Sequence, residues 1–192
     1  MKILEDLIVA VYRKVNDTCA VPLANLELEN FTVPTVPFPR LPYGDAIMIA
    51  RKNIEEPIKY GDDIGTAAEK AIGEEMGGHY FITDWPTEIR PYYAMPREDD
   101  PSVCRAFDLM HPRMELASGA QRVHQHDLLV KQIKAKGLNP ESFGFYLKPF
   151  RYGMPPHAGW GLGAERLVMT MLGLSNIREA VLFPRDRHRL VP

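Results

Sequence analysis

The sequence predicts an α+β fold in which helices flank an antiparallel sheet. Three observations carry that prediction. Strand-like runs follow one another at His79–Asp84, Ile89–Met95, Val103–Met110 and Met114–Ser118 without crossover helices between them, as antiparallel pairing requires. Amphipathic helical stretches stand on both sides of that block. The 192 residues are 45% hydrophobic and 25% charged, which suits one globular domain of ordinary size.

Taken in order, Ile3, Leu4, Leu7, Ile8, Val11 and Val15 recur at helical spacing and predict an opening helix over 3–15 that needs a partner surface. Residues 31–42 hold Pro34, Pro37, Pro39 and Pro42. That density of proline excludes helix and central strand, so an extended surface segment is expected. Tyr43–Lys52 reads as a short helix. Lys59–Gly65 reads as a turn, with Thr66 capping a helix through Met76. The aromatic and β-branched run HYFITD (79–84) predicts a strand. Met114–Ser118 is expected to pair with the preceding strand across His111-Pro112-Arg113. Residues 124–136 form an amphipathic helix that Gly137 ends, and Asn139 caps a further helix with Pro140 at its first position. A glycine-studded strand at 159–163 runs into an apolar helix, Ala164–Leu172, closed by Gly173. Ala180–Pro184 is expected to form a last short strand.

Composition excludes several functional classes. No run of roughly 18 apolar residues is present, so a transmembrane helix is excluded. Met1–Val15 mixes Lys2, Glu5, Asp6, Arg13 and Lys14 among its apolar residues, unlike a signal peptide. Two distant cysteines, Cys19 and Cys104, give neither CxxC spacing nor a disulfide framework. Net charge is −2, which is not the global signature of a nucleic-acid coating protein. It leaves room for an RNA-handling enzyme with a local basic surface.

Two segments can carry chemistry. In GWGLGAERL (159–167), alternate glycines such as Gly161 and Gly163 strip side chains from one strand face, so a flat ring or a phosphate chain can lie against the backbone. Arg166 then falls in the first turn of a helix, placed to bind phosphate in a bidentate manner. A structural salt bridge is the competing reading for this arginine. In the second segment, Asp108, Glu115 and Ser118 lie on neighbouring strands and are hard oxygen ligands of the kind Mg²⁺ takes. Strand alternation puts Glu115 and Ala117 on one face and Ser118 on the other. Convergence of the three therefore requires a bulge, expected near Ser118-Gly119. Arg122, close by, can read a carboxylate on a small substrate. A solvated acidic edge with a surface arginine is the alternative. His124 and His126 diverge on a helix start and make a poor zinc pair; His157 follows Pro155-Pro156 in a rigid turn.

Together these segments resemble the class II aminoacyl-tRNA synthetases, in the subgroup of the aspartyl, asparaginyl and lysyl enzymes. GWGLGAERL looks like the third signature motif of that family, MELASGAQRVH (114–124) like its metal-holding strand, and FPRDRHRL (183–190) like the aspartyl branch. The resemblance is nearest to archaeal and eukaryotic-cytosolic aspartyl enzymes and runs from about Tyr43 onward. It implies a cytoplasmic ATP-dependent ligase that activates aspartate and transfers it to tRNA. By the same resemblance, Arg166 grips the γ-phosphate of a bent ATP and the glycines make room for adenine. Asp108, Glu115 and Ser118 match metal and phosphate positions, and Arg122 matches the arginine that takes the aspartate side chain. Residues 1–42 are then a helix and proline-rich lead-in, and 43–192 a core with the third motif.

The first and second motifs of the family and its anticodon-binding barrel are not found, so a partial catalytic domain is expected, working as a homodimer or with a separate N-terminal half. Met1–Val15 would be the helix after the second motif. At 112–114 the chain reads Pro-Arg-Met where the family usually has Arg-Gly before the glutamate or one residue earlier. A truncated paralogue that only binds ATP or aspartate, and a ligase that adenylates an amino acid without tRNA, are the alternatives.

Overall fold

A computed structural model describes residues 1–28, 31–55 and 57–191. The opening helix, α1 (Lys2–Thr18), buries Leu4, Ile8, Val9 and Tyr12. The expected stripe is rotated, because Ile3 and Leu7 point outward and Glu5 points inward. Glu5 turns in because its Oε1 accepts the Phe38 backbone N–H at 3.0 Å, which ties the proline-rich segment to α1. A short α2 (Ala20–Asn25) follows.

The proline-rich segment is not purely a surface connector. Phe38 is buried, and Arg40–Pro42 pairs as β1 with β2 (Tyr80–Pro86). Proline at Pro42 is tolerated because β1 is the edge of the sheet. The helices α3 (Tyr43–Asn53) and α4 (Thr66–Met76) form as expected, except that Gly65 rather than Thr66 is the N-cap.

The sheet runs β1-β2-β3-β4-β5, where β3 is Val103–His111, β4 is Met114–Arg122 and β5 is His157–Leu162. The β1–β2 pair is parallel and the others are antiparallel. Two expected strands are absent. Ile89–Met95 is a chain of turns, with Ile89 N–H on Pro86 O and Ala94 N–H on Pro91 O, and it touches the sheet by single bridges at Ala94 and Pro96. Pro91 and Pro96 deny this stretch a donor pattern for a ladder. Ala180–Pro184 is irregular after a 3₁₀ turn at Ile177–Ala180, which Asn176 caps. The remaining helices are α5 (His126–Ala135), α6 (Gly144–Arg151) after a 3₁₀ turn at Pro140–Phe143, and α7 (Ala164–Met171).

Each face of the sheet has its own core. On one, α1 and α7 cover Phe81, Phe107, Leu109, Leu116 and Ala117. On the other, α3 and α4 cover Tyr80, Ile82, Trp85, Cys104, Ala106 and Met110. A third, smaller core joins α5 and α6 to Met95 and Val123. The layer of α3 and α4 stops before β5, whose residues are exposed or half-buried throughout. That bare patch lies on the same face as Ser118, Ala120 and Arg122. No helix among the described residues is long and apolar enough to cross a membrane.

Candidate functional site

Two register shifts aim side chains into one cleft. In the β3–β4 hairpin Asp108 stands opposite Ser118 and Met110 opposite Glu115, with Leu116 left over as a bulge. Leu116 and Ala117 both bury in the core under α1. The extra residue reverses the alternation, so Glu115 and Ser118, three apart, share the face of Asp108. The bulge that convergence requires is thus present, at Leu116 rather than at Ser118-Gly119. In β2, a shift between Thr83 and Trp85, with Asp84 at φ 55°, likewise returns Trp85 to the face of Ile82.

The Pro-Arg-Met departure forms a tight turn: His111 pairs with Met114 across Pro112-Arg113. Helix α4 holds this turn through Gly73, where a Cβ would collide with the Pro112 backbone.

Ile82, Trp85, Asp108, Met110 and Glu115 line a cavity of about 110 Å³ together with Asp63 and Glu69. Sequence reasoning missed one central residue, Arg90, which was read as part of a strand. Its guanidinium pairs with the Asp108 carboxylate, and its Cζ lies 4.0 Å from the Trp85 ring centroid. This ion pair is nearly dry, at 16% and 3% side-chain exposure. Arg90 Nε and Asp108 Oδ1 are buried with no partner. Burial pushes the Asp108 carboxyl above its ordinary value against the pull of Arg90. Burial also raises Glu115, with repulsion from Asp108 adding to it, and burial followed by repulsion from Glu115 raises Glu69. The cavity thus holds more carboxylate than its cations neutralise.

Around it stand the remaining site residues. Arg166, in the first turn of α7, donates to the Glu115 carbonyl at 2.9 Å and approaches Glu115 Oε1 at 3.4 Å. Gly163 gives Arg166 its bed: a Cβ there would meet the arginine stem at 3.2 Å. A Cβ at Gly161 would meet nothing within 4 Å, so the space over this glycine is open. Arg122 lies across Gly159, donates to its carbonyl at 3.4 Å, and stacks its Cζ 4.2 Å from the Tyr93 ring. A neighbouring cleft is lined by Arg90, Ser118 and Arg122. Gly119, on the far face, is required by packing, since a Cβ would fall 2.6 Å from Phe107 and 2.7 Å from Trp160.

The histidines point elsewhere. His126 lies between Asp127 and Arg151, and His157 Nδ1 contacts the Pro155 carbonyl. Among the described residues no three His, Cys, Asp or Glu side chains form a metal cage. The donor set at Asp108, Glu115 and Ser118 instead suits a hydrated divalent ion that takes its other ligands from a bound phosphate. The unpartnered Asp108 Oδ1 fits that use.

The family described as "tRNA synthetases class II (D, K and N)" matches residues 1–187. Along its full length the chain is 72% identical to the "Aspartate--tRNA(Asp/Asn) ligase" of Methanospirillum hungatei and 62% identical to that of Archaeoglobus fulgidus, and it spans 45% and 44% of those proteins. Two solved structures from Entamoeba histolytica cover the whole chain. One is an asparaginyl-tRNA synthetase in complex with asparaginyl-adenylate (TM-score 0.91, 33% identity), the other an aspartyl-tRNA synthetase (TM-score 0.87, 35% identity); the chain covers 44% and 41% of them. By family match, identity and fold alike, the chain belongs to the class II tRNA synthetases of the D, K and N group.

Proposed function

We propose that this chain carries the amino-acid and ATP cleft of an aspartate–tRNA ligase, acting in the cytoplasm within a longer or multi-chain enzyme. The observation that supports this most is the Leu116 bulge, which puts Asp108, Ser118 and Glu115 on one face, between Arg122 and Arg166. The names of the relatives and the adenylate complex of a structural neighbour point the same way.

In this reading ATP lies bent over β5. Its adenine rests above Gly161, where no side chain intrudes. Arg166, at the positive end of α7, takes the γ-phosphate in exchange for its contacts to Glu115. Asp108, Glu115 and Ser118 would hold Mg²⁺, which when bound would neutralise polyphosphate charge. Arg90 keeps the Asp108 carboxylate in place. Arg122, held flat by Tyr93 and Gly159, presents its fork to the aspartate side-chain carboxylate. The aspartate α-carboxylate attacks the α-phosphorus, a new C–O–P linkage forms, and the bond to pyrophosphate breaks. The 3′-terminal ribose of tRNA then captures the aspartyl group and releases AMP. Positioning and charge neutralisation carry the rate, so the chain supplies little covalent chemistry of its own.

A ligand that binds only the folded state raises Tm by mass action. Melting the chain with ATP·Mg²⁺, aspartate or asparagine at millimolar concentration is therefore a direct test. ATP·Mg²⁺ and aspartate are expected to raise Tm, and asparagine to do so less. A Tm unmoved by all three would overturn the proposal.

A further inference from the structure

We propose that the outward face of α6 is a contact surface for single-stranded RNA, which in the functional reading above, on which this rests, is the unpaired 3′-terminal segment of tRNA. The inner face of α6 is accounted for: Leu147 and Phe150 bury against Leu129 and Ile133 of α5. The outer face is not. Phe145 is 83% exposed and Tyr152 81%, more than any other aromatic side chain among the described residues. Lys148 is exposed between them. Phe145 and Lys148 stand three apart on α6, and Tyr152 is the C-cap that follows its last residue, Arg151. The helical stretch from Phe145 to Arg151 spans about 9 Å with Tyr152 just beyond it, so the rings are separate platforms with a cation between.

Charge favours an anionic partner. From His126 to His157 there are five lysines and arginines against two carboxylates, Asp127 and Glu141, in a chain whose net charge is −2. Lys131, Lys134, Lys148 and Arg151 are exposed. Aromatic rings with interleaved cations suit bases and phosphates, whereas the centre of a protein interface is depleted in lysine, and Lys131, Lys134 and Lys148 are all exposed here.

The position is also right. On the inner side of α6, the Phe150 ring lies 6.4 Å from His157, and His157 stands opposite Arg122 in the sheet. A strand lying along α6 therefore runs beside the end of β5 that pairs with Arg122.

The test is fluorescence anisotropy of the chain with a fluorescein-labelled single-stranded RNA dodecamer and with a tRNA transcript, in parallel with ATP and aspartate titrations. Base stacking on an aromatic side chain is worth about 1–3 kcal/mol, so Phe145→Ala and Tyr152→Ala are each expected to weaken RNA binding roughly 5- to 150-fold. Lys148→Glu should lower the salt slope by about 0.7 or more. All three variants should keep ATP and aspartate binding, since none of these side chains lines the cleft. Unchanged RNA affinity in both aromatic variants would overturn the proposal, as would a wild-type chain that binds neither RNA at tens of micromolar. A dimer in sedimentation velocity that Phe145→Ala or Tyr152→Ala converts to monomer would assign the face to a second copy and overturn it too. Stacking-dependent RNA binding without any ATP or aspartate binding would support the surface while refuting the functional reading.

Discussion

At the scale of single residues the site depends on compensating charges. Arg90 pairs with Asp108 and Arg166 approaches Glu115, while Glu69 and Asp63 line the same cavity. The three carboxyls held above their ordinary values have a definite sign in stability. Their folded forms bind protons more tightly than the unfolded chain does, so their contribution is most favourable below the ordinary carboxylate range and is lost as pH rises through the raised folded values. A divalent ion among them should reverse that loss. Mg²⁺ is therefore expected to raise Tm more at pH 7 than at pH 5 in thermal melts, and Asp108→Asn should remove most of the difference. An equal Mg²⁺ effect at both pH values would contradict the assignment. Arg166→Ala is expected to weaken ATP binding by about tenfold or more, the worth of a charge-assisted hydrogen bond, with aspartate binding retained in the same titration. Residue types were legible in the sequence: the oxygen donors, both flanking arginines and the open glycine at Gly161 were all singled out. Arg90 was not, because Ile89–Met95 has the composition of a strand and only the prolines at Pro91 and Pro96 argue against one.

At the scale of elements, bulges and close approaches decide where those residues point. A strand pattern read with period two sends Glu115 and Ser118 to opposite faces, and a single surplus residue at Leu116 corrects it. The sequence demands a bulge for convergence but does not reveal its place, because the choice depends on how Leu116 and Ala117 fill the core beneath α1. The edge strand β1 was hidden by its prolines for a similar reason: local propensity disfavours it, and the Glu5–Phe38 contact with pairing to β2 supplies what propensity lacks. Gly73 shows how tightly one element positions another. With the Pro112 backbone against it, Gly73→Ala cannot be absorbed by a side-chain movement. Overpacking of this kind costs about 1–3 kcal/mol and sometimes more. The variant is expected to lose about 3 kcal/mol in urea unfolding and to weaken ATP·Mg²⁺ binding through displacement of the β3–β4 turn. Wild-type stability with normal ATP binding would refute the role given to this contact.

At the scale of the whole molecule, two cores and a satellite leave one face of β4 and β5 open, and the cleft lies where the α3–α4 layer ends. The fold class was legible from the order of strand-like runs; the absence of Ile89–Met95 and Ala180–Pro184 from the sheet changed its membership, not its kind. Acid sensitivity is a property of the assembled fold. His79 is stacked on Phe38 and edge-on to Tyr12 and His111, with Nε2 buried and unpartnered. Burial lowers His79 and His111 to about 4 from the ordinary 6.5. The unfolded chain takes up those protons first, so their contribution is complete above pH 6.5 and is lost as pH falls towards 4. His79→Phe should move the acid limb of the stability curve to lower pH and, by removing a buried unpaired nitrogen, add about 1 kcal/mol at pH 7. An acid limb left in place would show that the histidine pair does not control it.

The central claim is that one cleft recognises ATP through Arg166 and the carboxylates, and aspartate through Arg122. Isothermal titration of the chain and of Arg122→Ala, first with ATP·Mg²⁺ and then with aspartate, tests it most directly. The wild-type chain should bind both ligands, and the variant should keep ATP·Mg²⁺ within about threefold while losing aspartate, because the proposal gives the fork of Arg122 to the amino acid alone. Binding of neither ligand by the wild-type chain at millimolar concentration, or equal loss of both in the variant, would contradict it.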